Sequence, residues 1–193
     1  THNHLHTQTY TSSHLFVSHS HPMANFEITQ YQGALVENTR LYVDKLYLHQ
    51  IWSGDNPNQT PVIEGDNTRK EYGRTLVNNW AIYDSLAEDA ELVANARGIH
   101  VNAVDWYNSF TMVFVNERFK NSTLEVMGAT IGGKGEWAIV GGTGEFRMAR
   151  GVIDRTFFDR TSDGEIMELT IEAFYRAKKS PAPTKTDDKN NKV

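Results

Sequence analysis

The sequence predicts an all-β fold, either a sandwich or a closed barrel of antiparallel strands, with the barrel preferred. Three observations carry that reading. Eight segments rich in Val, Ile, Leu, Phe, Tyr and Trp recur between residues 41 and 175. Turn-forming clusters fall among them: Ser53-Gly54-Asp55-Asn56-Pro57, Gly132-Gly133-Lys134-Gly135, Gly141-Gly142-Thr143-Gly144 and Ser162-Asp163-Gly164. Proline, which guards exposed sheet edges, is absent from all eight segments, so hairpins of this length need closure.

In chain order, Leu41–Gln50 and Arg74–Asp84 mix Val, Ile, Leu, Tyr and Trp with polar partners. Ser85–Ala96 is rich in Ala, Leu and Glu and is expected to be the one short helix, leading into a strand over Leu92–Val104. Phe110–Glu117 follows, its Met112 and Phe114 alternating with Thr111, Val113 and Val115, so its outward side is less polar than usual. Thr123–Met127, Trp137–Val140, Phe146–Phe158 and Ile166–Tyr175 complete the set of eight strands. No internal repeat is present.

Composition excludes several classes of function. The chain has 193 residues, and its 39% hydrophobic content suffices for a core, so wholesale disorder is ruled out. A net charge of −5 gives no global attraction to nucleic acid or an anionic membrane. No apolar run approaches the roughly 20 residues of a membrane-spanning helix. Cysteine is absent, which removes disulfides, Cys-ligated zinc, iron–sulfur clusters and thiol nucleophiles. That fits a reducing compartment without requiring one.

Both ends differ from the middle. Residues 1–22 hold six of the eight histidines and no Lys, Arg or acid. Leu15-Phe16-Val17 is shorter than the roughly 7–15-residue core of a signal peptide. Met23-Ala24 reads as an original start, with 1–22 a disordered leader or an added segment. Residues 178–193 carry five lysines against two aspartates and almost nothing apolar. Such a stretch cannot offset its ordering entropy and is expected to be a tail or linker, with Ser180-Pro181-Ala182-Pro183 as a spacer. The folded domain is expected over 23–177.

Motifs of common chemistries are weak. Gly142-Thr143-Gly144 lacks a following Gly-Lys-Ser/Thr and a helix, so its glycines read as a tight hairpin rather than a phosphate cradle. His2, His4 and His6 could line one side of an extended segment, but no native metal site is expected from composition alone. There is no Gly-x-Ser-x-Gly elbow and no His-Glu-x-x-His. His49 and His100, the two histidines outside the leader, read as ordinary strand residues before they read as bases. Asn58-Gln59-Thr60 and Asn121-Ser122-Thr123 are glycosylation triplets, meaningful only in a secreted chain.

One segment is specific. Val140-Gly-Gly-Thr-Gly-Glu-Phe-Arg-Met-Ala-Arg-Gly151 resembles the signature of the plant dirigent proteins. The resemblance continues in one order through Leu46-Tyr-Leu-His-Gln-Ile-Trp-Ser-Gly54, Ala81-Ile-Tyr-Asp84, Ala96-Arg-Gly-Ile-His100, Phe110-Thr-Met-Val-Phe114 and Asn121-Ser-Thr-Leu124, spanning about residues 40–177. It implies an eight-stranded antiparallel β-barrel of the dirigent and allene-oxide-cyclase type, a pocket inside it, and assembly as a homotrimer, with a homodimer the alternative. It implies no cofactor and no oxidative centre. A separate laccase or peroxidase makes phenoxy radicals of a monolignol such as coniferyl alcohol, and the barrel fixes which faces couple, in lignan and phenylpropanoid metabolism.

Carried over residue by residue, Asp84 and Arg150 would be the catalytic pair. His49, Gln50, Tyr83 and Phe146 would bind substrate. The sequence departs from the family pattern where Gln50 replaces an Asp and Ser85 the second Asp of a pair. Glutamine hydrogen-bonds but transfers no proton near neutral pH. The family's usual cysteines are also missing. These departures resemble the grass-type branch, whose dirigent domain precedes a jacalin-like lectin. The resemblance implies the extracellular apoplast, with the cytoplasm as the alternative. Two other readings stay open: an isomerase or dehydratase acting on a quinone methide, and a defence module that binds a phenolic without steering a reaction.

Overall fold

A computed structural model of the chain describes residues 39–177. The histidine-rich leader and the lysine-rich tail both lie outside the described residues. Nine strands run in the order β1 (Thr39–Ile51), β2 (Gln59–Ile63), β3 (Thr75–Tyr83), β4 (Leu92–Ala103), β5 (Asp105–Phe114), β6 (Thr123–Thr130), β7 (Lys134–Thr143), β8 (Arg150–Arg160) and β9 (Gly164–Tyr175). Each strand from β3 to β9 pairs antiparallel with the next, β9 pairs with β1, and β1 pairs with β3. The ring is therefore a closed eight-stranded antiparallel barrel, as the sequence predicts. β2 adds a ninth strand on the free part of β3.

Period-two burial explains why these segments are strands. In β3 Leu76, Asn78, Trp80 and Ile82 point inward, and in β9 Met167, Leu169, Ile171, Ala173 and Tyr175 do so. β1 would break this rule without help. Leu41 and Val43 are inward at odd positions, and Leu46, Leu48 and Gln50 at even ones. The register shift between Val43 and Leu46, with Lys45 at φ 60°, is the bulge that switches parity and keeps the apolar set inside.

β1 and β3 share only the register pairs Tyr47–Tyr83, Leu48–Ile82 and His49–Ala81. Beyond them β2 takes the edge of β3, opposite Thr75–Asn78. Asn58 splices the two pieces: its Nδ2 donates to the His49 carbonyl and its Oδ1 accepts from Ile51 N, both at 2.8 Å. The amide of this glycosylation triplet is thus already committed to the barrel wall. Sequence reading missed β2 because it is short and carries Pro61, a residue tolerated only on an edge.

The expected helix over Ser85–Ala96 is absent. Residues 85–91 form the connection after β3, and Ala94 and Ala96 lie fully buried in β4. Asp84 closes that connection: its Oδ1 accepts from Glu91 N at 2.9 Å and its own N donates to the Glu91 carbonyl. Helix propensity over so short a run is weak, and burial of Ala94 and Ala96 between β3 and β5 overrides it.

The interior is divided along its axis. One end is sealed by aromatic rings: Phe146 packs at 5.0 Å on Phe114, 4.9 Å on Phe119 and 5.3 Å on Tyr175. The middle is filled by Trp80, Phe110, Trp137, Ile153 and Leu169. Toward the other end the buried side chains turn polar: Gln50, Asn78, His100, Asn108 and Arg155. That polar end is the one from which the β8–β9 and β6–β7 hairpins project.

The segment 140–151 builds the sealed end. Gly144 sits at φ 64°, and a Cβ on Gly142 would strike the Phe146 and Thr123 carbonyl oxygens. A short 3-10 turn over Gly144–Phe146 then drives the Phe146 ring inward. The expectation of a tight glycine turn holds here, although Gly141 and Gly142 still belong to β7.

Candidate functional site

The polar end of the barrel opens into a cavity of about 620 Å³. That lies within the range of about 300–1,000 Å³ typical of small-molecule pockets. Leu76 and Met167 add apolar surface to its lining, and in the core Phe110 meets Trp80 at 6.0 Å and Trp137 at 5.4 Å, each edge to face. Trp52, Trp106 and Phe157 add aromatic surface around the walls, and Gln50, Gln59, Asn108 and Thr130 add neutral polar groups. Two of these are fixed in place. Gln59 Oε1 accepts from Trp80 Nε1 at 2.7 Å, and Asn108 Nδ2 donates to Thr130 Oγ1 at 2.8 Å.

Charge is concentrated in three arginines and one carboxylate. Arg155 projects inward from β8 and is only 2% exposed. Its Nη1 and Nη2 donate to the carbonyls of Gly132 and Ile131, each at 3.1 Å, and its guanidinium lies 5.6 Å from the centre of the Trp137 ring. Its Nε has no hydrogen-bond partner. Among the described residues no carboxylate is in ion-pair contact with it; Glu165 acts only through space. Burial therefore pulls the Arg155 pKa down from its ordinary value, and the Glu165 charge opposes that. A buried guanidinium with only neutral partners keeps unused capacity for a strongly accepting or anionic oxygen.

Glu165 stands at the rim, its side chain 13% exposed and paired with Arg160 at 2.6 Å. Arg160 spans the faces of Trp52 and Phe157, at 5.8 Å from each ring centre. Arg74 lines the opposite wall and is held by Glu71 at 2.7 Å. The site thus offers a carboxylate–guanidinium pair able to exchange a proton with a ligand and a second guanidinium able to hold an oxygen.

His100, on β4, is buried between two indoles, 4.9 Å from the Trp80 ring and 5.0 Å from the Trp106 ring. Burial, with the Arg74 charge adding to it, lowers its pKa from 6.5 to about 4. The unfolded chain binds a proton at His100 as pH falls through about 6.5, and the folded chain resists until about 4. The stability contributed by neutral His100 is therefore complete above pH 6.5 and is lost between 6.5 and 4. We expect a fall of roughly 3 kcal/mol over that window in urea denaturation. His100→Phe is expected to flatten it; an unchanged slope would overturn the assignment.

Of the six residues carried over as catalytic or substrate-binding, only Gln50 lines this cavity. His49, its neighbour on β1, points to the other face of the strand. There it packs on Tyr83 at 5.0 Å and borders a smaller depression of about 280 Å³. Its Nε2 is buried without a partner, and burial lowers its pKa. Phe146 belongs to the aromatic seal at the far end. Asp84 is exposed in the β3–β4 connection, and Arg150 is exposed at the first residue of β8, away from the mouth. The structure does not bring Asp84 and Arg150 into the cavity.

Arg155, Glu165, Arg160, Arg74 and the two tryptophans were not singled out. One signal was available for Arg155: it occupies the inward phase of Ile153-x-Arg155-x-Phe157, where a charge is rare.

A closed barrel whose apolar core stops short of one end, leaving a polar and aromatic chamber there, defines a small-molecule-binding barrel. The chain belongs to the dirigent family, since residues 44–174 match the family model described as Dirigent-like protein. It is 32% identical over 138 residues to Dirigent protein 23 of Arabidopsis thaliana, covering 66% of this chain and 74% of that protein. It is 29% identical over 141 residues to Pterocarpan synthase 1 of Glycyrrhiza echinata, covering 67% and 75%. The solved structure of the pterocarpan synthase dirigent protein PsPTS1 matches with a TM-score of 0.67 at 27% identity, over 74% of this chain and 99% of that one. That of GePTS1 matches with a TM-score of 0.67 at 25% identity, over 79% and 99%.

Proposed function

We propose that this barrel steers the coupling of phenoxy radicals of a monolignol, coniferyl alcohol being the reference case, and leaves their oxidation to a separate laccase or peroxidase. The oxidase removes one electron and one proton from each phenol. Two radicals then join through a new carbon–carbon bond, and each phenolic oxygen becomes a quinone-methide carbonyl. Coupling of radicals has little barrier, so orientation is what a protein can add. A difference of about 1.4 kcal/mol between two orientations gives a tenfold preference.

The observation that carries this reading is Arg155. A fixed, buried guanidinium beneath aromatic walls binds a phenoxyl or quinone-methide oxygen and so sets which ring face is presented. Family membership supports the substrate class.

The Glu165–Arg160 pair favours a second reading, an isomerase or dehydratase that protonates a leaving hydroxyl and closes a ring on a quinone methide. The likeness to pterocarpan synthases supports it. One experiment separates the two. Coniferyl alcohol with a limiting one-electron oxidant is resolved by chiral chromatography, beside an ortho-hydroxybenzyl alcohol with no oxidant. Enantiomeric excess in the first arm only establishes radical steering. Turnover in the second establishes the isomerase. Binding of a phenol with a racemic first arm and an idle second leaves a phenolic-binding module.

Assembly as a homotrimer is part of the same proposal. It is supported by an exposed apolar strip, Val77, Ile99, Tyr107, Met127 and Val140, on the outer face of β3 to β7. Sedimentation equilibrium tests it, and a monomer at micromolar concentration would refute it.

A further inference from the structure

We propose that the cavity selects phenols whose side chain ends in a carboxylate, which is held on the wall carrying Arg74 and Gln59, opposite Arg155. This rests on the reading of the cavity as a site for phenoxy radicals and names the class of phenol that supplies them.

The argument begins with charge. Arg74, Arg155 and Arg160 line the cavity, and Glu165 is the one acid among the lining residues. Glu165 is committed to Arg160, and Glu71 reaches Arg74 from outside the lining. With both acids counted, one positive charge is left over. His100, whose pKa is lowered to about 4, is neutral at pH 7 and adds none. An acid at position 50 would cancel the surplus, but the residue buried there is Gln50. A neutral ligand leaves the surplus charge desolvated and unbalanced, whereas a monoanion balances it.

The second observation is where the unused donors lie. Trp80 Nε1 can only donate, and it bonds Gln59 Oε1 at 2.7 Å. The Gln59 amide is thereby oriented, with the hydrogens of Nε2 left over. Arg74 spends Nη1 on Glu71, and its side chain is 29% exposed. Among the described residues neither Gln59 Nε2 nor Arg74 Nη2 has a hydrogen-bond partner. The two belong to one patch. The Trp80 indole bonded to Gln59 packs on His100 at 4.9 Å, and His100 lies near enough to Arg74 to feel its charge. Both groups donate and neither accepts, so the ligand group that faces them must accept. A carboxylate brings two accepting oxygens and a charge; a hydroxymethyl group brings one oxygen and no charge.

The two ends of the ligand then have separate seats. Arg155 takes the phenoxyl oxygen, and Arg74 with Gln59 takes the carboxylate. The separate oxidase still removes one electron and the phenolic proton, so the carboxylate persists in the radical and anchors it. Two anchors fix the long axis of the radical where one would leave it free to swing.

The test uses the full chain and titration calorimetry with ferulate, methyl ferulate and coniferyl alcohol, which share one phenol ring and differ at the end of the side chain. Ferulate is expected to bind the wild-type protein at least about tenfold more tightly than either neutral probe. Arg74→Gln is expected to bring all three affinities within about threefold, by weakening ferulate alone. Gln59→Glu keeps an acceptor for Trp80 Nε1 and puts a carboxylate oxygen where the donor was, and it is expected to remove the preference as well. Equal wild-type affinities would overturn the proposal, as would a ferulate preference that survives in either variant. Failure of all three probes to bind the wild type would instead defeat the reading of the cavity as a phenol site.

Discussion

Arg155→Met is expected to abolish the stereochemical bias of coupling while leaving the barrel folded. The substitution keeps most of the side chain's length and apolar bulk and removes the one guanidinium buried inside the cavity. A hydrogen bond to a charged group is worth about 1.5–3 kcal/mol, so affinity for a phenolic ligand should fall about 10- to 100-fold. Stability should change little: relief of a buried cation whose Nε lacks a partner is offset by loss of its hydrogen bonds to the Ile131 and Gly132 carbonyls. Chiral chromatography of the products and thermal unfolding read the two effects separately. Arg150→Ala changes an exposed residue at the far end of the same strand and is expected to preserve the bias. If bias is lost with Arg150 and kept with Arg155, the site belongs elsewhere.

Phe146→Ala is expected to have the largest effect on stability. The ring is fully buried and touches Phe114, Phe119 and Tyr175, so its loss leaves a cavity that the surrounding strands cannot collapse to fill. Truncations of this kind cost about 3–5 kcal/mol, a large share of the stability of a small domain. Urea denaturation measures it. A loss under about 1 kcal/mol would mean that the seal is loosely packed. Phe146→Leu retains enough volume to fold and is expected to leave ligand affinity in the cavity unchanged.

These two residues show what was legible in the sequence. The strands were, because period-two patterning in β3, β5 and β9 follows directly from one wet face and one dry one. The helix misreading over Ser85–Ala96 came from composition: alanines that suit a helix also suit the crowded inside of a barrel. The chain's most recognisable motif, Val140 to Gly151, attracted the functional assignment. Its glycines and Phe146 are needed to seal the barrel, and that need makes a motif conspicuous whether or not it touches a ligand. The cavity is lined by residues scattered from Gln50 to Met167, no more than three from any one strand. Only the register of neighbouring strands gathers them, and a single sequence carries no statement of register. His49 and Gln50 illustrate the point: adjacent in sequence, they face opposite sides of the wall.

The order of the strands also has a meaning in time. From β3 to β9 each strand pairs with the next, so these contacts can form as the chain emerges. β1 is made first, yet its longest ladder is with β9, made last. Until synthesis reaches Tyr175, β1 can hold only its short seam with β3, and the growing sheet has an open edge. Ring closure is thus deferred until β9 has emerged, and up to that point the nascent barrel carries unpaired backbone on offer to neighbouring chains.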